Sequence, residues 1–128
     1  MVGIVVVVSH SKKVAEGAKE LALQMAADAK IAAAGGLQDG SIGTDMEKIT
    51  NAIGEVMSDD GVIMIVDMGS AIMTSEMAIE MSENPEKIKI VDTPVVEGTI
   101  FGAVEASIGS TMEQIVDVLK QAKIQPKF

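Results

Sequence analysis

His10 is the residue of this chain best suited to chemistry. It is the only histidine in the sequence, and it follows an apolar run rich in β-branched residues, 2–8. Such a run predicts a strand buried on both faces, as in the centre of a parallel sheet covered by helices. Sheets of this kind place reactive groups just beyond the carboxyl ends of their strands, where His10 stands. We therefore expect His10 to act as a nucleophile.

Asp67 is expected to orient that imidazole. It follows a second apolar run, residues 62–66. In a sheet of strand order 2-1-3-4 the first and third strands are neighbours, so His10 and Asp67 would lie roughly 5 Å apart at one edge. A carboxylate there accepts the Nδ1 proton of the ring, fixes the tautomer and leaves Nε2 to present its lone pair to solvent.

The turn after His10 suits a phosphoryl group. Helix amino ends usually attract acidic residues, yet Ser11 is followed by Lys12 and Lys13. A bound or covalent anion would offset that unfavourable charge, and the amides of a helix start form phosphate sites. Further amides and hydroxyls are expected from the residues after the third strand and after a glycine-rich loop, namely Gly69, Ser70, Gly43 and Thr44.

Each of these residues also has a structural interpretation. A single histidine is most often a surface or packing residue. Asp67 could cap a turn, and the hydroxyls of Thr44 and Ser70 could begin helices. The glycine-rich loop 35–43 matches neither the phosphate-binding pattern G-x-x-x-x-G-K-[ST] nor a dinucleotide fingerprint, so the sequence gives no indication of an ATP site.

Composition excludes several classes of function. A chain of 128 residues predicts one domain, 1–128. The absence of cysteine excludes disulfides, thiolate catalysis and thiolate metal sites. A net charge of -9 and two phenylalanines as the only aromatic residues argue against nucleic acid as a partner. No stretch approaches the ~20 apolar residues that span a bilayer, and no signal segment precedes the first strand. We expect a cytoplasmic protein without a membrane partner.

The apolar periodicity predicts strands that alternate with helices. The predicted strands cover 2–8, 30–34, 62–66 and 87–91. The predicted helices begin near Ser11, Thr44, Ser70, Pro94 and Ser110, with capping boxes from Thr44 to Glu47 and from Ser110 to Glu113. Right-handed crossovers then give an α/β three-layer sandwich with a mainly parallel sheet of order 2-1-3-4 and helices on both faces.

Helical spacing also predicts which side chains face the core. The expected core positions are Val14, Ala18, Leu21 and Met25 in the first helix, Met46, Ile49, Ile53 and Val56 in the second, and Ile72, Met73, Met77 and Met81 in the third. Most of the ten methionines are interpreted as core, with an adaptable docking surface near Met68, Met73 and Met77 as the alternative. Gly98 and Gly102 allow close helix packing in either a core or an interface.

Three stretches together resemble a known family. They are Ile4 to His10 with Ser11, the loop from Gly35-Gly36 to Gly43-Thr44-Asp45, and Val66-Asp67-Met68-Gly69-Ser70-Ala71-Ile72-Met73-Thr74. They resemble the enzyme IIA component of the mannose-type phosphotransferase system. More closely, they resemble the DhaM family, the phosphotransferase subunits of the phosphoenolpyruvate-dependent dihydroxyacetone kinases (phosphoenolpyruvate:glycerone phosphotransferase).

The resemblance implies a homodimeric phosphocarrier with an α/β fold. His10 would take a phosphoryl group from the phosphohistidine of HPr, becoming a phosphohistidine itself. It would pass the group to ADP held permanently in the partner DhaL, which phosphorylates dihydroxyacetone in DhaK. By the same resemblance Asp67 would orient His10, while Ser70, Thr44 and nearby amides would contact the phosphoryl group. No metal site and no cofactor of its own are expected, since the donor is already a phosphohistidine.

Other functions remain open at this point. Longer members of the family carry HPr-like and enzyme I-like domains behind this one, so a chain ending at Phe128 would use a separate HPr. A mannose-type enzyme IIA would instead pass phosphate to a IIB protein. A flavodoxin-like module would need aromatic residues for its flavin, a receiver domain would need an acidic pair after the first strand, and a non-catalytic dimerisation module would need no site at all.

Overall fold

A four-stranded parallel sheet forms the centre of the protein. The computed structural model describes residues 1–8 and 10–128, so Ser9, within the first stretch of the family resemblance, lies outside the described residues. The strands are β1 (Gly3–Val8), β2 (Ile31–Gly35), β3 (Val62–Val66) and β4 (Ile88–Val91). Their order is β2-β1-β3-β4 and every pairing is parallel, which confirms the predicted topology.

Helices cover both faces of this sheet. They are α1 (Lys12–Met25), α2 (Met46–Val56), α3 (Ser70–Glu80), α4 (Val95–Ser107) and α5 (Met112–Ile124), with one 3₁₀ turn (Pro85–Lys87) before β4. One core lies between the sheet and α1, α4 and α5, and the other lies between the sheet and α2 and α3. The three-layer α/β sandwich is confirmed. In the part of the chain that the structure describes, no helix is long and apolar enough to cross a membrane.

β1 explains why the fold is organised around the first residues of the chain. All six of its residues are buried. Ile4, Val6 and Val8 belong to the core beneath α1, and the alternate residues Val5 and Val7 belong to the core beneath α2. Successive side chains of a strand point to opposite faces, so a central strand of a covered sheet must be apolar throughout.

The predicted core face of α1 is correct at Ala18 and wrong at its other three positions. Val14, Leu21 and Met25 are exposed, and the residues that pack into the core are Ala15, Ala18 and Ala22. Both sets recur with helical spacing, so periodicity alone could not choose between them. The small residues face inward because α1 packs closely against both β2 and α4.

The interpretation of the methionines as core is wrong for α3. This helix buries Ala71, Ser75 and Ala78. Four apolar side chains of the helix and its C-cap are exposed, namely Ile72, Met73, Met77 and Met81, and so is Met68 in the turn before the helix. Ile79 is partly buried against the core. In α2, by contrast, the predicted residues Ile49, Ile53 and Val56 are buried and Met46 packs against the same core.

The two capping boxes also differ from prediction. Asp45, and not Thr44, caps α2 by accepting hydrogen bonds from the backbone N–H groups of Glu47 and Lys48. At α5 the box lies one residue later than predicted, formed by Thr111 and Gln114. In each case neighbouring residues carry suitable side chains, and the path of the incoming chain decides which of them occupies the cap position.

The glycine pair of α4 serves the core of this chain. A Cβ added at Gly98 would lie 2.4 Å from Cγ2 of Thr93, and one added at Gly102 would lie 3.3 Å from Cδ1 of Ile4. Both glycines therefore allow α4 to approach residues of the same chain. Of the two interpretations that the sequence left open, the core one accounts for these positions.

Candidate functional site

His10 and Asp67 meet at the carboxyl edge of the sheet. The Nδ1 atom of His10 lies 2.9 Å from Oδ2 of Asp67, although 57 residues separate them in sequence. The main chain of Asp67 is also fixed, since its N–H donates to the carbonyl of Val7 over 3.1 Å. The histidine side chain is 49% exposed and the aspartate side chain is 15% exposed. The carboxylate is thus mostly covered, whereas the ring reaches the surface.

This geometry determines which edge of the ring faces the carboxylate. A hydrogen bond at Nδ1 selects the tautomer of a neutral imidazole and restrains its rotation. Nε2 lies on the opposite edge of the ring, away from Asp67. An aspartate so placed also stabilises positive charge that develops on the ring during a reaction. The pair can therefore hold an imidazole in one orientation for attack through Nε2.

The first turn of α1 contributes amides and positive charge. The Oγ atom of Ser11 accepts a hydrogen bond from the N–H of Val14 over 3.1 Å and caps the helix. Because this hydroxyl is used within the helix, the turn can offer a ligand its N–H groups and its lysines. Lys12 and Lys13 are both exposed, and the first turn contains no acidic residue.

Thr44 and Ser70 come together from separate elements. Their hydroxyl oxygens lie 2.7 Å apart and share a hydrogen bond. Thr44 ends the glycine-rich loop before α2, and Ser70 is the first residue of α3. Gly43 and Gly69, which precede them, have φ angles of 149° and 63°. Such angles favour glycine, because a Cβ atom disfavours them.

The start of α3 has the features of an anion site. Gly69 occupies its N-cap position, and among the described side chains none caps the helix there. The first N–H groups of an uncapped helix can donate to an anion. Because α3 begins three residues after Asp67, these donors lie on the same chain segment as the carboxylate that contacts His10. The structure therefore groups the predicted hydroxyl and amide donors at one edge, while their contact with a phosphoryl group stays a prediction.

The glycine-rich loop has a compact, hydrogen-bonded structure. The N–H of Leu37 donates to the carbonyl of Ser41, and the N–H of Gly40 donates to the carbonyl of Leu37. Asp39 accepts hydrogen bonds from both the N–H and the hydroxyl of Ser41. These two bonds hold the pKa of the Asp39 carboxyl below its usual value.

Lys48 anchors this loop, and the sequence analysis did not identify it. Its Nζ atom donates to the carbonyls of Gly35 and Leu37, each over 3.0 Å. The sequence does contain one indication that Lys48 has a special role. It lies in the first turn of α2, where the helix dipole disfavours a cation. The same reasoning drew attention to Lys12 and Lys13, and it applies equally here.

An exposed apolar surface adjoins the site. We call it the methionine face, and it consists of Met68, Ile72, Met73, Met77 and Met81. It begins next to Asp67 in sequence and continues along α3. Methionine side chains are flexible and polarisable, so they suit contact with more than one partner. Across residues 1–8 and 10–128, no group of three or more acidic, histidine or cysteine side chains is arranged to bind a metal ion.

Comparisons with known proteins point to phosphotransferase-system proteins. The family described as "EIIA-man: PTS system fructose IIA component" matches residues 4–116. The phosphoryl donor subunit DhaM of the PEP-dependent dihydroxyacetone kinase 2 of Listeria innocua is 36% identical over 118 residues, covering 90% of this chain and 94% of that protein. The phosphotransferase subunit DhaM of the PTS-dependent dihydroxyacetone kinase of Lactococcus lactis is 33% identical, covering 94% of this chain and 96% of its own length.

Some relatives are much longer than this chain. The DhaM phosphoryl donor subunit of Escherichia coli is 39% identical over 117 residues, which are 87% of this chain and 25% of that protein. The chain thus spans about a quarter of such a relative. Among solved structures, the protein EF1359, described as of unknown function, superposes with a TM-score of 0.83 at 35% identity, covering 95% of this chain and 96% of that one.

Proposed function

Because the chain belongs to the EIIA-man family of phosphotransferase-system proteins, and to the DhaM subunits within it, we propose that it is a phosphocarrier that works through His10. The proposed carrier is a phosphoryl donor subunit of a dihydroxyacetone kinase. In the proposal, His10 accepts a phosphoryl group from phospho-HPr and passes it to ADP bound in DhaL, which drives the phosphorylation of dihydroxyacetone in DhaK. The observation that carries this proposal is the 2.9 Å contact between Nδ1 of His10 and Oδ2 of Asp67 at the sheet edge.

The transfer consists of two in-line displacements. In the first, the Nε2 lone pair of His10 forms a bond to phosphorus as the P–N bond of the donor phosphohistidine breaks, and the electron pair of that bond returns to the donor imidazole. In the second, an oxygen of the β-phosphate of ADP attacks the same phosphorus, and the pair of the Nε2–P bond returns to His10. Asp67 holds the Nδ1 proton throughout and stabilises the positive charge of the phosphorylated ring.

Five residues are proposed to contact the phosphoryl oxygens. These are Ser70 and Thr44 through their hydroxyls, and Gly69, Gly43 and Ser11 through backbone N–H groups. Phosphoryl transfer depends mainly on positioning and on stabilising the charge of the equatorial oxygens. The proposal is supported by the short contact between the two hydroxyls and by the uncapped start of α3. Because the group arrives already activated, the reaction requires no metal or cofactor bound to this chain.

The surroundings of His10 support transfer between proteins. The methionine face lies beside the site, and an adaptable apolar surface suits a carrier that must bind a donor and an acceptor in turn. A half-exposed imidazole at the rim of the sheet can be reached by a histidine or a nucleotide held on another protein. We further propose that the carrier is a cytoplasmic homodimer, as the family resemblance implies.

A sugar-transport role is the alternative. The family description names a fructose IIA component, which favours transfer from His10 to a IIB protein. Both roles use the same phosphohistidine and differ in the acceptor. The test is to load the protein with labelled phosphate, remove the donor, and add either DhaL with ADP or a IIB protein. Rapid loss of label to DhaL and formation of dihydroxyacetone phosphate with DhaK would support the proposal. Discharge to the IIB protein alone would support the alternative.

A further inference from the structure

We propose that Lys48 is a positioning residue for phosphoryl transfer, acting as a clamp that fixes Thr44 relative to the sheet edge bearing His10. This inference rests on the proposed function of His10. Lys48 does not act on the phosphoryl group itself in this proposal. Its role is to join two segments of the chain, one that lies next to His10 and one that carries Thr44.

The clamp consists of two hydrogen bonds from one ammonium group. Nζ of Lys48 donates to the carbonyl of Gly35 and to that of Leu37, each over 3.0 Å. The lysine is partly buried, so these bonds are partly shielded from water. Hydrogen bonds from a charged donor are stronger than those between neutral groups. One side chain in the first turn of α2 therefore holds both the end of β2 and the start of the loop.

The first segment that the clamp joins lies next to His10. Gly35 is the last residue of β2 and pairs with Val8 at the end of β1. The N–H of Gly36 then donates to the carbonyl of Val8 over 3.2 Å. A Cβ added at Gly35 would lie 2.8 Å from Cα of Lys12, so this strand end packs directly against the start of α1. Gly35 is thus fixed to both segments that flank His10.

The second segment carries Thr44. Lys48 lies one helical turn after Thr44, and Asp45 between them caps α2 by accepting from the N–H groups of Glu47 and Lys48. The segment from Asp45 to Lys48 is therefore held together by hydrogen bonds, and Thr44 directly precedes it. Thr44 reaches the other side of the site, where its hydroxyl lies 2.7 Å from that of Ser70. The hydrogen bond from Lys48 to Gly35 therefore restrains the position of the Thr44 hydroxyl relative to the sheet edge that bears His10.

The position of the lysine has an energetic cost that this role would explain. A cation in the first turn of a helix is disfavoured by the helix dipole. If position 48 served packing alone, an apolar side chain would suffice there, because the neighbouring core residues of α2 are Ile49, Ala52 and Ile53. A charged donor at this position instead supplies partners for two carbonyl groups at the base of the loop.

The test compares Lys48→Met, Lys48→Gln and Lys48→Arg with the wild-type protein in single-turnover transfer from phospho-HPr. Lys48→Met should lower the maximum rate by up to about tenfold, the loss expected when the Thr44 hydroxyl is removed, because misplacing a group by ~1 Å is enough to cost this much. The KM for phospho-HPr should stay within about twofold, because in this proposal Lys48 acts through Gly35 and Leu37 and not through a contact with HPr. Lys48→Arg should restore most of the rate, and Lys48→Gln, with one donor group, should be intermediate. Lys120→Met, which alters an exposed lysine on α5, is the matched control and should match the wild type.

A double-mutant cycle separates positioning from general destabilisation. If Lys48 acts through Thr44, then Thr44→Val should slow the Lys48→Met protein far less than it slows the wild type. Should Lys48→Met fail to fold, the same cycle with Lys48→Gln decides the point. Equal maximum rates for wild type and Lys48→Met, or additive effects in the cycle, would overturn the clamp. Labelling of His10 by phosphoramidate checks the proposed function separately. A wild-type protein that neither donor can phosphorylate would refute that function, and the clamp with it.

Discussion

Asp67 holds His10 from the neighbouring strand by a side-chain contact of 2.9 Å, while its own main chain is bonded to Val7 of the strand that precedes the histidine. The carboxylate is thereby fixed relative to the ring by two independent links. Rigid attachment on both sides makes the orientation of the imidazole a property of the sheet. We therefore expect substitutions of the Asp67 side chain to lower the rate of phosphoryl transfer more than they lower the stability of the fold.

Asp67→Asn should slow phosphorylation of His10 by about 10²-fold or more. The amide is nearly the same size, so the ring stays close to its place, but a neutral group cannot stabilise the charge of the phosphorylated ring. Quench-flow transfer from phospho-HPr measures the rate, and circular dichroism checks the fold. A rate within about twofold of the wild type would show that the carboxylate only packs against the ring.

The rate of phosphorylation should fall in acid solution. Only the neutral ring has a lone pair on Nε2, and protonation removes it. The measurement is the single-turnover rate as a function of pH, with the amount of intact phospho-HPr determined at each point. A rate that is the same in acid as in neutral solution would contradict attack by His10.

Thr44→Val and Ser70→Ala should each reduce the maximum transfer rate by about tenfold, with little change in thermal stability. Each substitution removes a hydroxyl that is proposed to bind phosphoryl oxygens. The other hydroxyl then loses its hydrogen-bond partner, but Ser70 is exposed and Thr44 is half-buried, so water can replace that partner. Thr74→Val, on the same helix as Ser70, is a suitable comparison. If the two variants lost stability but kept the wild-type rate, the 2.7 Å contact between these residues would be purely structural.

Two glycine substitutions should change stability in opposite directions. A Cβ at Gly3 would lie 2.3 Å from the carbonyl oxygen of Val56, so Gly3→Ala should cost about 1–3 kcal/mol through overpacking. A Cβ at Gly54 meets nothing within 4 Å, so Gly54→Ala should add about 0.5–1 kcal/mol by favouring the helix. Urea unfolding measures both. Equal effects of the two substitutions would contradict the close approach of α2 to β1.

The sheet and the His10–Asp67 pair could be predicted because both depend on simple rules. Runs of β-branched residues identify β1 and β3, and alternation with helices makes the sheet parallel and fixes a small set of strand orders. In the order found here, the ends of β1 and β3 must be adjacent. The strand order alone therefore predicts that His10 and Asp67, which are far apart in sequence, lie close together.

The inward face of a helix was harder to predict. In α1 and α3 the alanines repeat with the same period as the larger apolar residues, and a periodicity argument favours the larger ones. The close packing of α1 on β2 and α4 reverses that choice, and it cannot be read from one helix in isolation. In α3 the buried residues are likewise small, namely Ala71, Ser75 and Ala78, and the methionine face is exposed.

The hydrogen-bond partners of Lys48 and the cap of α2 could not be assigned from the sequence, for a related reason. Thr44 and Asp45 are both suitable cap residues, so the choice depends on how the loop enters the helix. Once Asp45 takes the cap, the hydroxyl of Thr44 is available to Ser70, and Lys48 points back to Gly35. These contacts depend on the path of the glycine-rich loop, which no pattern of residue types specifies.

The most direct test of the central claim is to incubate the protein with labelled phosphoenolpyruvate, enzyme I and HPr and to locate the label. We expect acid-labile, base-stable phosphate on His10, and its complete loss in His10→Gln while HPr itself remains phosphorylated. Absence of label from the wild-type protein in the presence of phospho-HPr, or label that persists in His10→Gln, would contradict the proposed role of this residue.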